Sequence, residues 1–203
     1  MNQVVFEDEI VTPCKIVCVG RNYVEHIKEL GNEIPEEMVL FLKPNSSISD
    51  DLYFVGDDNH YEGEISFLIK EGKIYGVGFG LDLTKRDLQS KLKSKGLPWE
   101  RAKAFDKAAV FSKFVKIDEL EVERVGMKLF INDKLSQEGG VELMIYKPNT
   151  ILKEVKSFMS LDDFDIIMSG TPKGVGNYRR GDNFLAEIYV GEKLLISQKW
   201  IAK

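Results

Sequence analysis

The apolar positions of this chain fall mostly in short runs separated by turn residues, the pattern of strands more than of long helices. Runs at 15–19, 39–42, 64–69, 74–81, 127–131, 166–168, 184–190 and 193–200 are rich in β-branched and aromatic residues and predict strands. Glu71-Gly72, Asn132-Asp133 and Val190-Gly191 carry turn chemistry between neighbouring runs and predict hairpins. Helical patterns are fewer. Asn22 is placed to cap a helix over 23–30 that stops at Gly31, with Tyr23, Ile27 and Leu30 on one face. Thr84 is placed to cap a second over 85–95, closed by Gly96 and Pro98, with Leu88 and Leu92 turned inward. A third begins near Ala102. Strands outnumber helices and do not alternate with them. The expected fold is therefore mainly β (α+β), a roll or sandwich with a few peripheral helices, and not a doubly wound sheet. No repeat or Pro/Gly/Ser-rich linker interrupts the chain, so a single domain over 1–203 is expected.

Composition narrows the function. With 203 residues, 43% of them hydrophobic, the chain can bury one good core. A net charge of −5 argues against a broad nucleic-acid or anionic-membrane surface. An anionic substrate must then be drawn in by a few local cations. Cys14 and Cys18 lie on one extended run, roughly 13 Å apart, too far to bridge, and read as buried reduced thiols. His26 and His60 are too few for a structural zinc site. Residues 1–10, with Glu7, Asp8 and Glu9, do not read as a signal peptide, and no run approaches the roughly 18 apolar residues of a membrane span. A soluble, cytoplasmic protein is expected.

The segment His60-Tyr61-Glu62-Gly63-Glu64 carries the strongest chemical signal. Residues two apart on a strand share a face, so Glu62 and Glu64 repel each other there. A solvated face, a shared proton and a bound cation each resolve that conflict, and one Glu-x-Glu alone favours the solvated face. A second segment changes the balance. In the 74–82 run, Gly76, Gly78, Gly80 and Asp82 occupy one face, and Val77, Phe79 and Leu81 the other. Three glycines in register mean that something packs close against that face. Asp82 could end its strand beside the two glutamates. Three hard oxygen ligands suit Mg²⁺ or Mn²⁺, and Ca²⁺ less specifically.

Polar partners flank this group. Arg86 and Gln89 stand three apart on the second helix, just beyond Asp82, and Arg21 follows Gly20 at the mouth of the first. His26 and Glu29 also stand three apart, a spacing at which the carboxylate orients the imidazole and raises its basicity. Taken locally, each pair also reads as an exposed helix face. The run 169–176 lacks the spacing of a phosphate loop but could offer Thr171 and backbone N–H groups to a carboxylate.

Together these segments resemble the fumarylacetoacetate hydrolase family, in its short acylpyruvase and oxaloacetate decarboxylase branch. The resemblance runs from about Lys15 to about Ile188. It is carried by Gly20-Arg21-Asn22-Tyr23, Leu40-Phe41-Leu42-Lys43-Pro44, His60-x-Glu62-x-Glu64, Leu81-Asp82-Leu83-Thr84-x-Arg86-Asp87-x-Gln89, Gly96-Leu97-Pro98-Trp99, Ala102-Lys103 and the 169–176 run. It implies a β-roll core with Mg²⁺ or Mn²⁺ on Glu62, Glu64 and Asp82. Around the metal it implies a small 2-oxo acid chelated through its carboxylate and 2-oxo oxygens, contacted by Arg21, Arg86, Gln89 and Thr171. His26 and Glu29 would activate water, with Lys103 nearby, and a homodimer is usual. The implied reaction is C–C cleavage, as acylpyruvate hydrolysis or oxaloacetate decarboxylation. Isomerisation, tautomerisation or hydration of an unsaturated 2-oxo dicarboxylate is the alternative, and a non-catalytic metal-stabilised binding protein the rival outside catalysis. The resemblance departs after Gln137-Glu138-Gly139, where Gly140-Val141-Glu142 replaces small hydroxyl residues, so the far end of the substrate is the least constrained.

Overall fold

The computed structural model of the chain describes residues 1–29, 31 and 35–203. Each strand expected from an apolar run is present, within two residues of the expected ends. Among the described residues they build two main sheets. The larger, eight-stranded sheet runs Val39–Pro44, Lys15–Gly20, Ile166–Met168, Gly63–Lys70, Lys73–Asp82, Ala109–Phe111, Ile48–Ser49, with Val115–Lys116 also paired to Lys73–Asp82. It is mixed, with two parallel pairs, and curls into a half-barrel. The smaller is an antiparallel meander in the order Lys134–Gly140, Val125–Ile131, Asn183–Val190, Lys193–Ile201. The three hairpin turns form at the expected places. At two of them both turn residues have positive φ: Glu71 (51°) with Gly72 (68°), and Asn132 (50°) with Asp133 (61°). Those values suit the tight turns that match strand twist. The third turns on Gly191 (φ 58°).

The alternation of residues 74–82 divides two cores. Val77, Phe79 and Leu81 join Ile65 and Phe67 against Leu129, Ala186, Ile188 and Trp200 of the smaller sheet. The glycine face meets a separate aromatic layer. A Cβ at Gly78 would lie 2.8 Å from the Phe114 ring, and one at Gly80 would lie 2.9 Å from Phe111 and 2.5 Å from Ser66 Oγ. The close packing expected from three glycines in register is thus supplied by phenylalanines of the chain itself.

Helices are short and peripheral: Val24–Glu29, Arg86–Ser94, Glu100–Lys103 and Pro148–Phe158. Tyr23 and Ile27 are buried as expected, and Leu92 turns inward with Leu88 partly buried, whereas Leu30 lies outside the described residues. The expected caps differ. Asn22 is buried and bonds across the chain to Ser169 O and to both backbone groups of Tyr146, which pins the first helix to the Ile166–Met168 strand end. Thr84 lies in a two-residue strand, and its hydroxyl donates to Asp82 O. The helix start is capped instead by the distant Asp58 carboxylate, which accepts from the backbone N–H groups of Asp87 and Leu88. Of the two thiols only Cys18 is buried; Cys14 is exposed, because it precedes the strand that covers Cys18.

Candidate active site

The hairpin of Gly63–Lys70 and Lys73–Asp82 pairs Gly63 with Leu81 and Glu64 with Gly80. Continuing that register sets Glu62 opposite Asp82, and Asp82 N donates to Glu62 O at 2.8 Å. Glu62, Glu64 and Asp82 therefore share one face, with Gly80 leaving room between them. Gly63, between the glutamates, faces the other way. A Cβ there would meet the Phe79 ring at 2.8 Å and Gln137 Oε1 at 2.9 Å, so only glycine fits.

The three carboxylates are buried, and one oxygen of each lies within 4.8 Å of the others. Lys103 Nζ donates to Glu62 Oε2 at 2.8 Å, Asp82 Oδ2 at 2.6 Å and Thr84 Oγ1 at 2.6 Å. Arg86 pairs with Glu62 Oε1 and donates to Gln89 Oε1 at 3.0 Å. Gly170 N donates to Glu64 Oε2 at 2.8 Å. Lys43, wholly buried, stands 2.8 Å from Asp82 Oδ1 in ion-pair contact, while its hydrogen bonds run to the carbonyls of Leu83 (3.3 Å), Ala108 (3.0 Å) and Lys103.

These surroundings separate the two glutamates. Burial works to raise the Glu62 pKa, but Lys103 and Arg86 outweigh it and hold the carboxyl well below its usual range. Burial also raises Glu64, and there Asp82 and Glu62 add to the rise. Lys103 is the converse case: burial alone would lower it, yet Asp82 and Glu62 keep it firmly protonated. Among the described residues no lysine or arginine forms an ion pair with Glu64, although Lys103 pulls against the rise. A divalent cation among these oxygens would supply a direct counter-charge, and three hard carboxylates suit Mg²⁺ or Mn²⁺.

His26 Nδ1 lies 3.2 Å from Glu29 Oε2, and the carboxylate of Glu29 accepts in turn from Gly174 N at 3.0 and 3.1 Å. Gly174 has φ 97°, and a Cβ on it would lie 2.0 Å from Ser136 O. The glycines of the 169–176 loop thus aim their N–H groups at the chain's own Glu64 and Glu29, where the sequence had suggested a bound carboxylate. Thr171 is held by the same loop. Its hydroxyl donates to Gly63 O at 2.9 Å and accepts from Gln137 Nε2 at 2.8 Å. Burial lowers the His26 pKa, with Glu62 and Glu29 pulling the other way, so the ring is neutral at pH 7.

Arg21, His26, Glu62, Glu64, Asp82, Arg86, Gln89, Lys103 and Thr171 all line one small cavity of about 40 Å³; Glu29 reaches it through His26. That volume holds a cation and a water or two, given about 10–15 Å³ per water. Val39, Phe41, Trp99 and Lys103 line both this cavity and a larger apolar groove of about 540 Å³ beside it. Three residues at this centre carried no assigned role in the sequence reading. Lys43 and Gln137 fall inside quoted segments without a spacing rule to single them out. Lys93 continues the 86, 89 face of its helix by one turn, a signal that was legible.

A half-barrel with three buried carboxylates ringed by lysine and arginine defines a class of small-molecule enzyme site. Residues 15–195 match the fumarylacetoacetate (FAA) hydrolase C-terminal family, and the chain belongs to that family. It is 38% identical over 186 residues to oxaloacetate tautomerase YcgM of Escherichia coli (strain K12), covering 83% of this chain and 85% of the relative. It is 36% identical over 185 residues to the mitochondrial oxaloacetate decarboxylase of Dictyostelium discoideum, covering 82% and 85%. Fumarylpyruvate hydrolase from Pseudomonas aeruginosa, solved in complex with Mn²⁺ and pyruvate, superposes with a TM-score of 0.87 at 26% identity, over 100% of this chain and 96% of that one. Among the described residues no helix is long and apolar enough to cross a membrane.

Proposed function

We propose that this chain is a divalent-metal-dependent enzyme that interconverts the keto and enol forms of oxaloacetate or a close 2-oxo dicarboxylate. The observation that carries the reading is the convergence of three buried carboxylates with neutral His26 in one small cavity. Glu62, Glu64 and Asp82 would hold Mg²⁺ or Mn²⁺, which when bound polarises the 2-oxo group and acidifies the neighbouring carbon. His26, oriented through Nδ1 by Glu29, presents its other nitrogen as the proton carrier. It takes a proton from C3 of the keto form, and the electron pair moves to the 2-oxo oxygen. Return of one proton to that oxygen completes the enol, and no water is consumed. Burial keeps the imidazole unprotonated at neutral pH, the state this transfer needs. Arg86 and Lys103 hold Glu62 ionised and add positive charge where the anionic substrate sits.

Sequence reasoning put C–C cleavage first. The balance moves to tautomerisation because relatives as distant as Escherichia coli and cattle, at 38% and 34% identity, bear that activity in their names. Cleavage stands as the second reading, supported by the names of the Dictyostelium relative and the Pseudomonas hydrolase. The test follows enol absorbance and coupled pyruvate release from oxaloacetate, with Mn²⁺ and with chelator. Wild-type protein should accelerate enol–keto exchange only with the metal. His26→Ala should lose a factor of about 10²–10⁴ in that rate, the usual worth of a general base. Pyruvate release outpacing exchange would favour the cleavage reading, and no effect of metal on either would overturn both.

A further inference from the structure

The helix Arg86–Ser94 presents Arg86, Gln89 and Lys93 at i, i+3 and i+7, and all three line the polar cavity. Four cations line that cavity, and three have partners within the chain. Arg86 is held by Glu62 and Gln89, Lys103 by Glu62, Asp82 and Thr84, and Arg21 has interactions of its own. Lys93 differs. Among the described residues its ammonium makes no hydrogen bond or ion pair and lies 4.4 Å from the Trp99 ring centroid. A partly buried ammonium that no carboxylate contacts directly is incomplete by its own electrostatics. The surroundings make it more so: burial, then Arg21 and Lys103, push its pKa down to about 8, against an opposing pull from Glu62.

We propose that Lys93 is the specificity-determining residue for the far end of the substrate, pairing with the second carboxylate of a 2-oxo dicarboxylate. This rests on the 2-oxo acid reading above and deepens it. The carboxylate and 2-oxo end that every substrate of this class shares belongs to Glu62, Glu64, Asp82 and the cations already paired there. Beyond that end, on the same helix face as Arg86 and Gln89 and bordering the same cavity, Lys93 is the cation with no anion partner among the described residues. The Trp99 ring face meets the ammonium itself, at 4.4 Å from its centroid, so the charge is positioned before the substrate arrives. A substrate ending in a methyl ketone gains nothing from that charge.

The experiment compares enol–keto exchange of oxaloacetate and of acetylpyruvate, a monoanion, in wild type, Lys93→Met and Lys93→Arg at saturating Mn²⁺. Methionine keeps an unbranched side chain of similar length and removes the charge, and with it the contact of the ammonium with the Trp99 ring. Lys93→Met should lower kcat/KM for oxaloacetate about 10- to 100-fold, the range for a lost charge-assisted bond, mostly through KM. It should change acetylpyruvate less than threefold, and Lys93→Arg should restore most of the oxaloacetate value. Equal losses on both acids would place Lys93 at the shared end and overturn the proposal while leaving the functional reading intact. Wild-type protein that turns over neither acid would overturn that reading, and this inference with it.

Discussion

Replacing Lys43 with methionine removes a cation that has no exposure to water and sits between four elements. Its ammonium stands 2.8 Å from Asp82 Oδ1 and donates to Leu83 O, Ala108 O and Lys103 O. It thereby ties the edge strand Val39–Pro44 to the end of Lys73–Asp82, to the Lys103 helix and to the approach of Ala109–Phe111. Breaking a buried ion pair from one side costs about 3–5 kcal/mol. Two features set where in that range the loss falls. Asp82 keeps Lys103 at 2.6 Å, and Ala108 O keeps the N–H of Leu83 at 2.9 Å, which reduces the penalty. Against that, Leu83 O and Lys103 O lose a donor inside the fold, at about 1–3 kcal/mol for each carbonyl left unsatisfied. Methionine fills nearly the same volume, so no large cavity adds to the loss. The expected destabilisation is about 4 kcal/mol, a large part of a typical domain's 5–15 kcal/mol. Urea unfolding of metal-free protein in chelator, followed by circular dichroism, reads it directly, and melting should shift down by about 8–16 °C for a chain of this size. A loss below about 1 kcal/mol would refute the argument that Lys43 is a buried brace for Asp82.

Two further outcomes follow from the loop and the dyad. Because burial holds His26 below its ordinary value of 6.5, its neutral form persists as pH falls through neutrality; the acid limb of kcat/KM should therefore lie below pH 6.5 and vanish in His26→Gln, and a limb centred above 6.5 in wild type would contradict the assignment. Gly174→Ala adds a Cβ against Ser136 O at φ 97° and must shift the N–H that holds Glu29, so stability should fall by about 1–3 kcal/mol and kcat several-fold, with Mn²⁺ affinity from calorimetric titration unchanged.

What was legible in the sequence follows from how each element is stabilised. Strands such as Ile166–Met168 and Lys193–Ile201 bury apolar faces, and their hydrophobic runs mark them to within two residues. The strand Lys134–Gly140 was invisible to the same reading. Its buried positions are Gln137, Gly139 and Gly140, and its one leucine, Leu135, is exposed. Polar pairing, from Gln137 to Gly63 N and to Thr171, holds its inner face in place of apolar burial. The helix Pro148–Phe158 was missed although Pro148 at its start and Ile151, Leu152 and Val155 within it mark it plainly. The caps failed for another reason. Asn22 has the right chemistry for a local cap, but Tyr146 and Ser169, far along the chain, take its side chain. Thr84 turns its hydroxyl back to Asp82 O and accepts from Lys103, and the cap comes from the distant Asp58, which a local rule cannot see. The three carboxylates were found because alternation on a hairpin is local. Lys43 arrives from the edge strand Val39–Pro44, with three strands between it and the strand of Asp82, and the curl of the half-barrel brings the two together.

The most direct test of the account is a crystal of the protein grown with Mn²⁺ and examined for anomalous scattering. The prediction is one strong peak within roughly 2.0–2.6 Å of carboxylate oxygens from Glu62, Glu64 and Asp82, lost in Glu62→Ala crystals grown the same way. A fully loaded crystal whose only peaks lie elsewhere, with these three side chains engaged by Lys43, Lys103 and Arg86 alone, would contradict it.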